Sequence, residues 1–450
     1  MTDVAQRPDG EPDPGAPGTL DAEADPRPSG PSRSRRQRLR GLVLDVAPLR
    51  LDRDYRWLWS GQVVSGIGNQ ITRIALPYQV YVLTGSTLAI AGLTAVQLIP
   101  ILVFVLGAGS VADAVDRRRL LMVTQVGLAG CSLVLVLLAL HGSPPVLALF
   151  AVAFVAAALG SVDQPARSSS IPRLVPAQRL PAAIALNQLN FQAASVVGPA
   201  VGGLLLATVG IAGAYFVDLL SFGASLVALL AIAPIPPLGG AVRPGLAAVT
   251  EGLRFAIQRR VILSTFVIDL DAMIFGMPTS LFPVLALDVF KTGPAGLGFL
   301  AAAPAVGAFL GAFLSGWVSM VRRTGRAVVI AVVIWGAAIA AFGLSTFSFA
   351  LALVFLAIAG AADVLSAVFR STIVQLETPD ALRGRVTAIH IMAVTSGPRL
   401  GDIEAAGVAA VIGAQASVVS GGLLCVLGVA AVVRVFPELM RHETRTAVQR

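Results

Sequence analysis

The chain has 450 residues, of which 56% are hydrophobic and only 13% charged. Soluble domains average about 25% charged residues, so the composition excludes an ordinary soluble protein and predicts a polytopic membrane protein. The net charge of +8 would fit nucleic-acid binding only if a soluble module carried a basic face, and none is present. Cys131 and Cys425 stand alone in apolar runs, which indicates buried side chains and neither a disulfide nor a metal site.

The first 50 residues are rich in Pro, Gly and acidic residues and end in an arginine run from Arg33 to Arg40. This composition predicts a disordered cytoplasmic tail. The arginine run indicates a solvated segment with a secondary attraction to anionic lipid headgroups. No apolar core with a small-residue cleavage site follows it directly, so we do not interpret the segment as a signal peptide.

Apolar stretches of about 20 residues, the length that crosses a bilayer, recur along the rest of the chain and predict an all-α fold of twelve transmembrane helices. Nearly all of the 33 Lys and Arg residues fall in alternate loops and in the termini, while Lys291 faces the other side and Arg73 and Arg399 lie within spans. The positive-inside rule therefore predicts a multi-pass protein of the inner (cytoplasmic) membrane with both termini in the cytoplasm. The predicted spans are 57–83, 87–112, 119–140, 146–167, 181–207, 211–234, 261–288, 295–320, 326–346, 349–371, 386–412 and 415–436.

Two segments repeat each other: ARSSSIPRLVP at 166–176 and FRSTIVQLETP at 369–379 share Arg, Ser and Pro in register and end the fourth span of each half. This repeat predicts two parallel six-helix bundles related by an axis normal to the membrane, as in transporters whose site lies between the halves near the midplane. The predicted segments are a tail at 1–50, a bundle at 51–234, a cytoplasmic linker at 235–260, a second bundle at 261–437 and a cytoplasmic tail at 438–450.

The loop after the second span reads GSVADAVDRRR. Gly109 permits close helix contact, and Asp113 suits the positive end of a neighbouring helix dipole. The loop resembles the signature of the major facilitator superfamily, although Ala114 and Asp116 stand where that family has arginine and glycine. The resemblance implies a latch on the cytoplasmic side, and a merely topogenic basic loop is the alternative. The candidate gating residues are Gly109, Asp113, Asp116, Arg117 and Arg118.

Span 5 contains SVVGPAVGG, which is similar to a helix motif of proton-coupled exporters in the same superfamily. The family's upstream glycines appear here as Ala185 and Ala194. Gly and Pro bend a helix and let backbones approach each other, so ordinary helix packing is an equal alternative for this segment alone. The motif residues are Gly198, Pro199, Gly202 and Gly203.

Three further segments, GNQITRIALPYQVYVLTGS, TPDALRGR and SGPRLGDIEAAG, are similar to a bacterial subgroup of the superfamily that includes the enterobactin exporter and the transmembrane secretion effectors. The resemblance spans about residues 50–437 and implies the major facilitator fold. It also implies proton-driven export of a small amphipathic molecule, siderophore-like or drug-like, by alternating access. Proton-linked uptake of a metabolite and a non-transporting receptor are the alternatives.

Ionisable residues inside spans must face the bundle interior or water, which makes them candidates for the transport path. Helical spacing places Arg399 and Asp402 on one face, where we expect a pair that is either structural or coupling. Asp269 and Asp271 lie roughly 200° apart around their helix, and we favour Asp269 as the proton carrier. The candidate transport and proton-coupling residues are Arg73, Gln97, Asp269, Asp271, Asp363, Arg399, Asp402 and Glu404.

Four other polar positions have different interpretations. Asp218 lies in the peripheral sixth span, so we expect a structural partner for it. Asp163 and Gln164 approach the cytoplasmic end of span 4 and could belong to an inner gate. His390 lies near the cytoplasmic entry of span 11, where a surface histidine is favoured over a proton relay.

No pattern of catalysis occurs in the sequence. There is no GxSxG or HExxH pattern, and the three histidines are scattered, so we predict neither an enzyme nor a metal site. An ATP-driven pump would carry a phosphate loop, which is also missing from the sequence. We expect no cofactor, and the predicted partners are a small-molecule substrate, protons and the lipid bilayer, with no nucleic acid and no obligate protein partner.

Overall fold

The computed structural model describes the chain over residues 45–236 and 246–443. Within these ranges the side chains are described except at 104–114, 246–249, 319, 381, 388 and 391. The predicted tail up to residue 44, the middle of the linker and residues 444–450 lie outside the described residues. The described residues from Asp45 onward belong to one compact unit.

Long helices follow one another in the order of the predicted spans. They are α1 (Arg53–Thr84), α2 (Thr87–Ala114), α3 (Arg117–Leu140), α4 (Val146–Leu174), α5 (Leu180–Thr208), α6 (Gly210–Leu230), α7 (Arg260–Phe275), α8 (Gly293–Phe313), α9 (Thr324–Leu344), α10 (Phe349–Glu377), α11 (Asp380–Ile412) and α12 (Ala414–Val435). The linker contributes a shorter helix, Leu246–Gln258, before α7.

Nine helices of the described chain are long and apolar enough to cross a membrane by length and composition, α7 being counted with the turns that follow it. The others are α1 and α11, which carry polar and charged residues, and α2, whose described apolar part ends at Val103. No β-strand occurs among the described residues. The protein is thus an all-α polytopic membrane protein, while the number of twelve spans stays a prediction.

Short connections join the helices because the sequence supplies caps and turns at their ends. Ser86 accepts a hydrogen bond from the Ala89 N–H at 3.4 Å, and Asp116 accepts one from the Arg119 N–H at 2.9 Å. Gly85 ends α1 at φ 61°, a left-handed conformation that a side chain would strain. Consecutive helices therefore run antiparallel.

The antiparallel order defines two ends of the bundle. Odd-numbered helices begin at the end called here the basic end, and even-numbered helices begin at the far end. At the basic end Asp52 pairs with Arg179 at 2.7 Å, and His442 lies 3.1 Å from Glu377. These contacts tie the starts of α1 and α5 together and join the end of α10 to the segment after α12.

The seventh helix is broken, whereas we predict one continuous span over 261–288. Helix α7 ends at Phe275, Pro278 follows, and the chain continues to Val289 in short turns that include a π-helical turn. A break at membrane depth leaves backbone N–H groups without helical partners, and it is tolerated where other groups take them up. Asp402 of α11 has this role, as described below.

Helices α1 to α6, the first half, pack mainly against one another, and α7 to α12, the second half, do the same. The main contacts between the halves join α2 to α11 and α5 to α8. A β-carbon placed on Gly203 of α5 would lie 2.6 Å from the Cα of Gly298, and one placed on Gly298 would lie 2.7 Å from the Pro199 carbonyl oxygen. The backbones of α5 and α8 therefore touch near the far end.

We expect Gly203→Ala to push α5 away from α8 and to destabilise the protein by about 1–3 kcal/mol, the usual effect of overpacking. The measurement is a fall in melting temperature in detergent. Gly223→Ala on α6 is the matched control, because nothing lies within 4 Å of a β-carbon placed there. Equal melting temperatures for the two variants would contradict this packing.

Candidate functional site

A buried group of three charges lies in the second half, and we name Asp269, Asp363 and Arg370 the charge triad. Arg370 of α10 forms an ion pair with Asp269 of α7, and each side chain is only 2% exposed. The Arg370 Nη2 also lies 3.9 Å from Oδ1 of Asp363, which precedes it on the same helix α10. The Asp363 side chain is 31% exposed. One guanidinium group is thus shared by two predicted site residues, one fully buried and one partly open.

Arg370 is absent from the candidates that the sequence suggests, because it lies at the cytoplasmic end of the predicted span 349–371. Helix α10 continues to Glu377, so the arginine stays inside the bundle. The internal sequence repeat could have indicated Arg370, because Arg167 occupies the matching position in the first half. Arg167 pairs with Asp163 at 3.1 Å. Asp163 belongs to this pair, which lies within one helix.

His390 is placed differently from the expected surface position. Its ring stacks on Phe266 with centroids 5.7 Å apart, and its Nδ1 is buried without a hydrogen-bond partner among the described residues. The imidazole also interacts electrostatically with Asp269 and Arg370. It therefore lies beside the charge triad on the side of the basic end.

A second polar group joins the two halves. Arg399 of α11 donates from Nη1 to Oε1 of Gln97 on α2, at 2.9 Å. Arg73 of α1 is exposed and acts electrostatically on both Arg399 and Asp402. Arg399 and Gln97 are thus in direct contact across the two halves, and Arg73 and Asp402 lie close enough to Arg399 for their charges to interact with it.

Asp402 does not bind Arg399 directly, which corrects the expected pair within α11. Its Oδ1 accepts hydrogen bonds from the Thr279 hydroxyl at 2.6 Å and from the Ser280 backbone N–H at 2.7 Å. The Ser280 hydroxyl in turn donates to the Asp402 carbonyl oxygen at 2.9 Å. Asp402 therefore satisfies the backbone exposed by the break after α7 and attaches that segment to α11.

Two predicted residues lie apart from these groups. Asp271 turns away from Asp269 towards α12, where a side chain on Gly428 would overlap its carboxylate. Glu404 is partly buried, two residues beyond Asp402. Helical rotation between positions two apart explains both separations.

The candidate gating loop is only partly described, because the side chains of Gly109 and Asp113 lie outside the described residues. Asp116 caps α3, and the Arg117 N–H donates to the Ile235 carbonyl oxygen at 3.0 Å. Arg118 donates to the carbonyl oxygens of Leu229 and Leu230, both at 2.9 Å. These bonds attach the start of α3 to the end of α6 within the first half.

The glycine motif of α5 faces two neighbours. A β-carbon on Gly198 would lie 2.4 Å from Cβ of Gln70, and one on Gly202 would lie 3.1 Å from the Ile71 Cα, both on α1. Gly203 and the Pro199 carbonyl meet α8 of the other half, as described above. The motif thus lets α5 pack closely against α1 and α8 together.

Asp218 has the structural partners that we expect for it. This carboxylate is 1% exposed and accepts hydrogen bonds from Thr72 and Ser132, both at 2.7 Å. It joins α1, α3 and α6 inside the first half and lies outside the candidate transport path.

The fold matches solved transporters. A transporter of the POT family, solved in complex with a thioalcohol-conjugated peptide, superposes with a TM-score of 0.68 at 12% identity, covering 86% of this chain and 96% of that one. A bacterial homolog of the human lysosomal transporter Spinster, solved in an inward-facing and unoccupied conformation, gives a TM-score of 0.68 at 16% identity, covering 87% and 99%. These similarities establish the major facilitator fold.

Sequence comparison points to a narrower group. The enterobactin exporter of Escherichia coli (strain K12) is 27% identical over 415 residues, which cover 90% of this chain and 97% of that protein. A family model described as transmembrane secretion effector matches residues 44–448. The chain therefore belongs to the transmembrane secretion effector family of the major facilitator superfamily.

Proposed function

We propose that the protein is a proton-coupled exporter of a small amphipathic molecule, which it moves across the cytoplasmic membrane by alternating access with both termini in the cytoplasm. Family membership and the similarity to an enterobactin exporter support export of a small molecule, siderophore-like or drug-like. The observation that carries proton coupling is the charge triad. Ionisable side chains are energetically costly inside a membrane protein, so three of them gathered in one place indicate a function.

The triad has two carboxylates and one guanidinium group, so in its fully ionised form it holds one excess negative charge. In a low-dielectric interior an uncompensated charge is expensive. Binding of one proton to Asp269 or Asp363 leaves an ion pair and a neutral carboxyl group. The triad is therefore built to alternate between a state with one bound proton and a state with none.

Proton binding would change a contact between two helices. Arg370 and Asp363 both lie on α10, whereas Asp269 lies on α7. When Asp269 takes up a proton, Arg370 keeps its ionic partner within α10 and the attraction between α7 and α10 falls. When the proton leaves, the ion pair between the helices forms again. The protonation state thereby biases how α7 sits against α10.

Movement of α7 would reach the far end of the bundle. There the Tyr81 hydroxyl of α1 donates to Asp288 in the turns after α7, and Asp402 attaches the same turns to α11. The named contacts between the halves, including Arg399 with Gln97 and Gly203 with Gly298, all lie between the helix midpoints and the far end. They support a conformation in which the bundle is closed at the far end. Release of the cargo would require this end to open.

Closure at the basic end would complete the cycle. The family resemblance assigns this role to the loop with Gly109, Asp113 and Arg117. Because Arg118 attaches the start of α3 to α6, the loop would move as part of the first half. The glycine motif of α5 supplies a surface on which α8 can rock without bulky side chains between the backbones.

Everted membrane vesicles, which expose the cytoplasmic face, test the direction of transport. With an acidic lumen we expect a siderophore-like cargo added outside to accumulate inside and to consume the pH gradient, because each inward step of cargo releases a proton outward. An acridine dye reports the gradient, and vesicles without the protein are the control. Expulsion of preloaded cargo by the same gradient would indicate uptake and contradict the proposal.

Asp363→Asn tests the triad. Asp363 is preferred to Asp269 for this experiment, because removal of Asp269 strands a buried arginine and threatens folding. We expect gradient-driven transport to fall to background while cargo exchange without a gradient continues, because without Asp363 the pair of Asp269 and Arg370 is neutral and has no excess negative charge for a proton to cancel. Asp271→Asn is the matched control, because Asp271 is a carboxylate on α7, the same helix as Asp269, but faces α12. This variant should keep both activities. Gradient-driven transport in Asp363→Asn at the wild-type level would remove the triad from coupling.

His390 is suited to pass the proton between Asp269 and the cytoplasm. His390→Phe keeps an aromatic ring stacked on Phe266 but removes the exchangeable proton. We expect proton flux in the vesicle assay to slow by about a hundred-fold, the lower end of the usual effect of losing a positioned acid–base group. His390→Ala shows the added effect of losing the stack. If the Phe variant matched the wild type and only the Ala variant slowed, the role of His390 would be packing alone.

A further inference from the structure

The two arginines between the halves form a site that proton coupling does not use. Arg73 comes from α1 and Arg399 from α11, and each acts electrostatically on the other. Arg399 commits one nitrogen to Gln97 at 2.9 Å, which orients the guanidinium plane. Its other N–H groups, and those of Arg73, have no hydrogen-bond partner among the described residues. The two guanidinium groups are therefore close enough for their charges to interact, and most of their donors are unpaired.

The nearby carboxylates do not neutralise this pair. Asp402 interacts with both arginines, but its Oδ1 is occupied by Thr279 and by the Ser280 backbone. Glu404 makes no electrostatic contact with either arginine in the described chain. Asp288 is engaged by the Tyr81 hydroxyl. Two positive charges therefore face one carboxylate that is already hydrogen-bonded elsewhere.

An anion is the ligand that such a site would take. The two like charges repel each other, and Arg399, which is half-buried, also lacks part of the solvation of bulk water. Guanidinium groups bind planar anions through paired N–H donors, more strongly than neutral groups do. A carboxylate or a similar oxyanion would fill the free donors on both arginines and cancel the repulsion.

We propose that Arg73 and Arg399 bind an acidic group of the cargo, so that this exporter acts on amphipathic anions. The inference rests on the proposed function and adds the chemical class of the cargo. Because the two arginines belong to opposite halves, they bind the anion together only while the far end is closed. Opening of the far end separates α1 from α11, leaves one guanidinium on the anion and lowers its affinity, which favours release to the outside.

A pair of fluorescent probes that differ only in charge tests this site. Dansyl-leucine carries a carboxylate, and dansyl-leucinamide carries a neutral amide on the same apolar body. The full chain is placed in nanodiscs of neutral phosphatidylcholine, so that anionic lipid does not compete. We expect wild-type protein to bind the acid about ten-fold more tightly than the amide, a difference of about 1.4 kcal/mol.

Arg73→Gln and Arg399→Gln should each weaken binding of the acid about ten-fold and leave binding of the amide unchanged. Unchanged amide binding also establishes that the variants are folded. Arg434→Gln is the matched control, because Arg434 is an exposed arginine on α12 at the basic end. Arg399→Lys keeps the charge but loses the fork geometry, and it should bind the acid with intermediate affinity.

Three results would overturn the assignment. The wild type could bind acid and amide with equal affinity, it could fail to bind the acid, or the variants could lose affinity for both probes equally. Failure of the export proposal looks different. If the preference for the acid depends on the two arginines but vesicles show no gradient-driven transport, the anion site stands and coupled export falls. If vesicles transport acid and amide equally and Arg73→Gln has no effect, export stands and the anion site falls.

Discussion

Charge compensation inside an apolar medium is the constraint on which this protein depends. Arg370 is buried among membrane helices, so it must have anionic partners, and Asp269 and Asp363 supply them. Because the guanidinium is shared between α7 and α10, the same interaction that makes burial tolerable also joins two helices that alternating access would move. We propose that one group of three side chains thus serves both the stability of the bundle and the coupling of transport to protons.

The repeated sequence does not produce two equivalent halves. In the first half Arg167 finds its carboxylate within its own helix, and Asp163 is further bonded to Thr124 at 2.7 Å and Gln125 at 3.0 Å. Both oxygens of Asp163 are therefore occupied, by Thr124 and Gln125 on one side and by Arg167 on the other, although Arg167 Nη1 and Gln125 Oε1 have no hydrogen-bond partner among the described residues. In the second half the matching arginine spans two helices and one of its carboxylates is partly open. We therefore propose that proton binding, if it drives transport, takes place in the second half.

Polar contacts at the break after α7 connect the charge triad to the far end. The turns that follow α7 are attached to α11 through Asp402 and to α1 through Tyr81. A continuous helix would have satisfied its own backbone and would have offered no such attachment points. The arginine pair lies beside these turns, so cargo and proton would act on opposite parts of the same broken segment.

The sequence by itself determined the helical class, the order of the long helices and most of the charges inside them, because apolar length and the cost of burying ions leave few alternatives. It also named Arg73, Gln97, Arg399 and Asp402 as candidate transport residues, with Arg399 and Asp402 on one face of their helix. Only the tertiary structure decided the partners of these charges. Asp402 bonds to the broken seventh helix and not to Arg399, and Asp271 faces α12. His390 lies beside the charge triad, and Arg370 forms the centre of that triad. Partner choice depends on helix rotation, helix length and breaks, which shift a side chain by a full face without changing the hydrophobic pattern that the sequence displays.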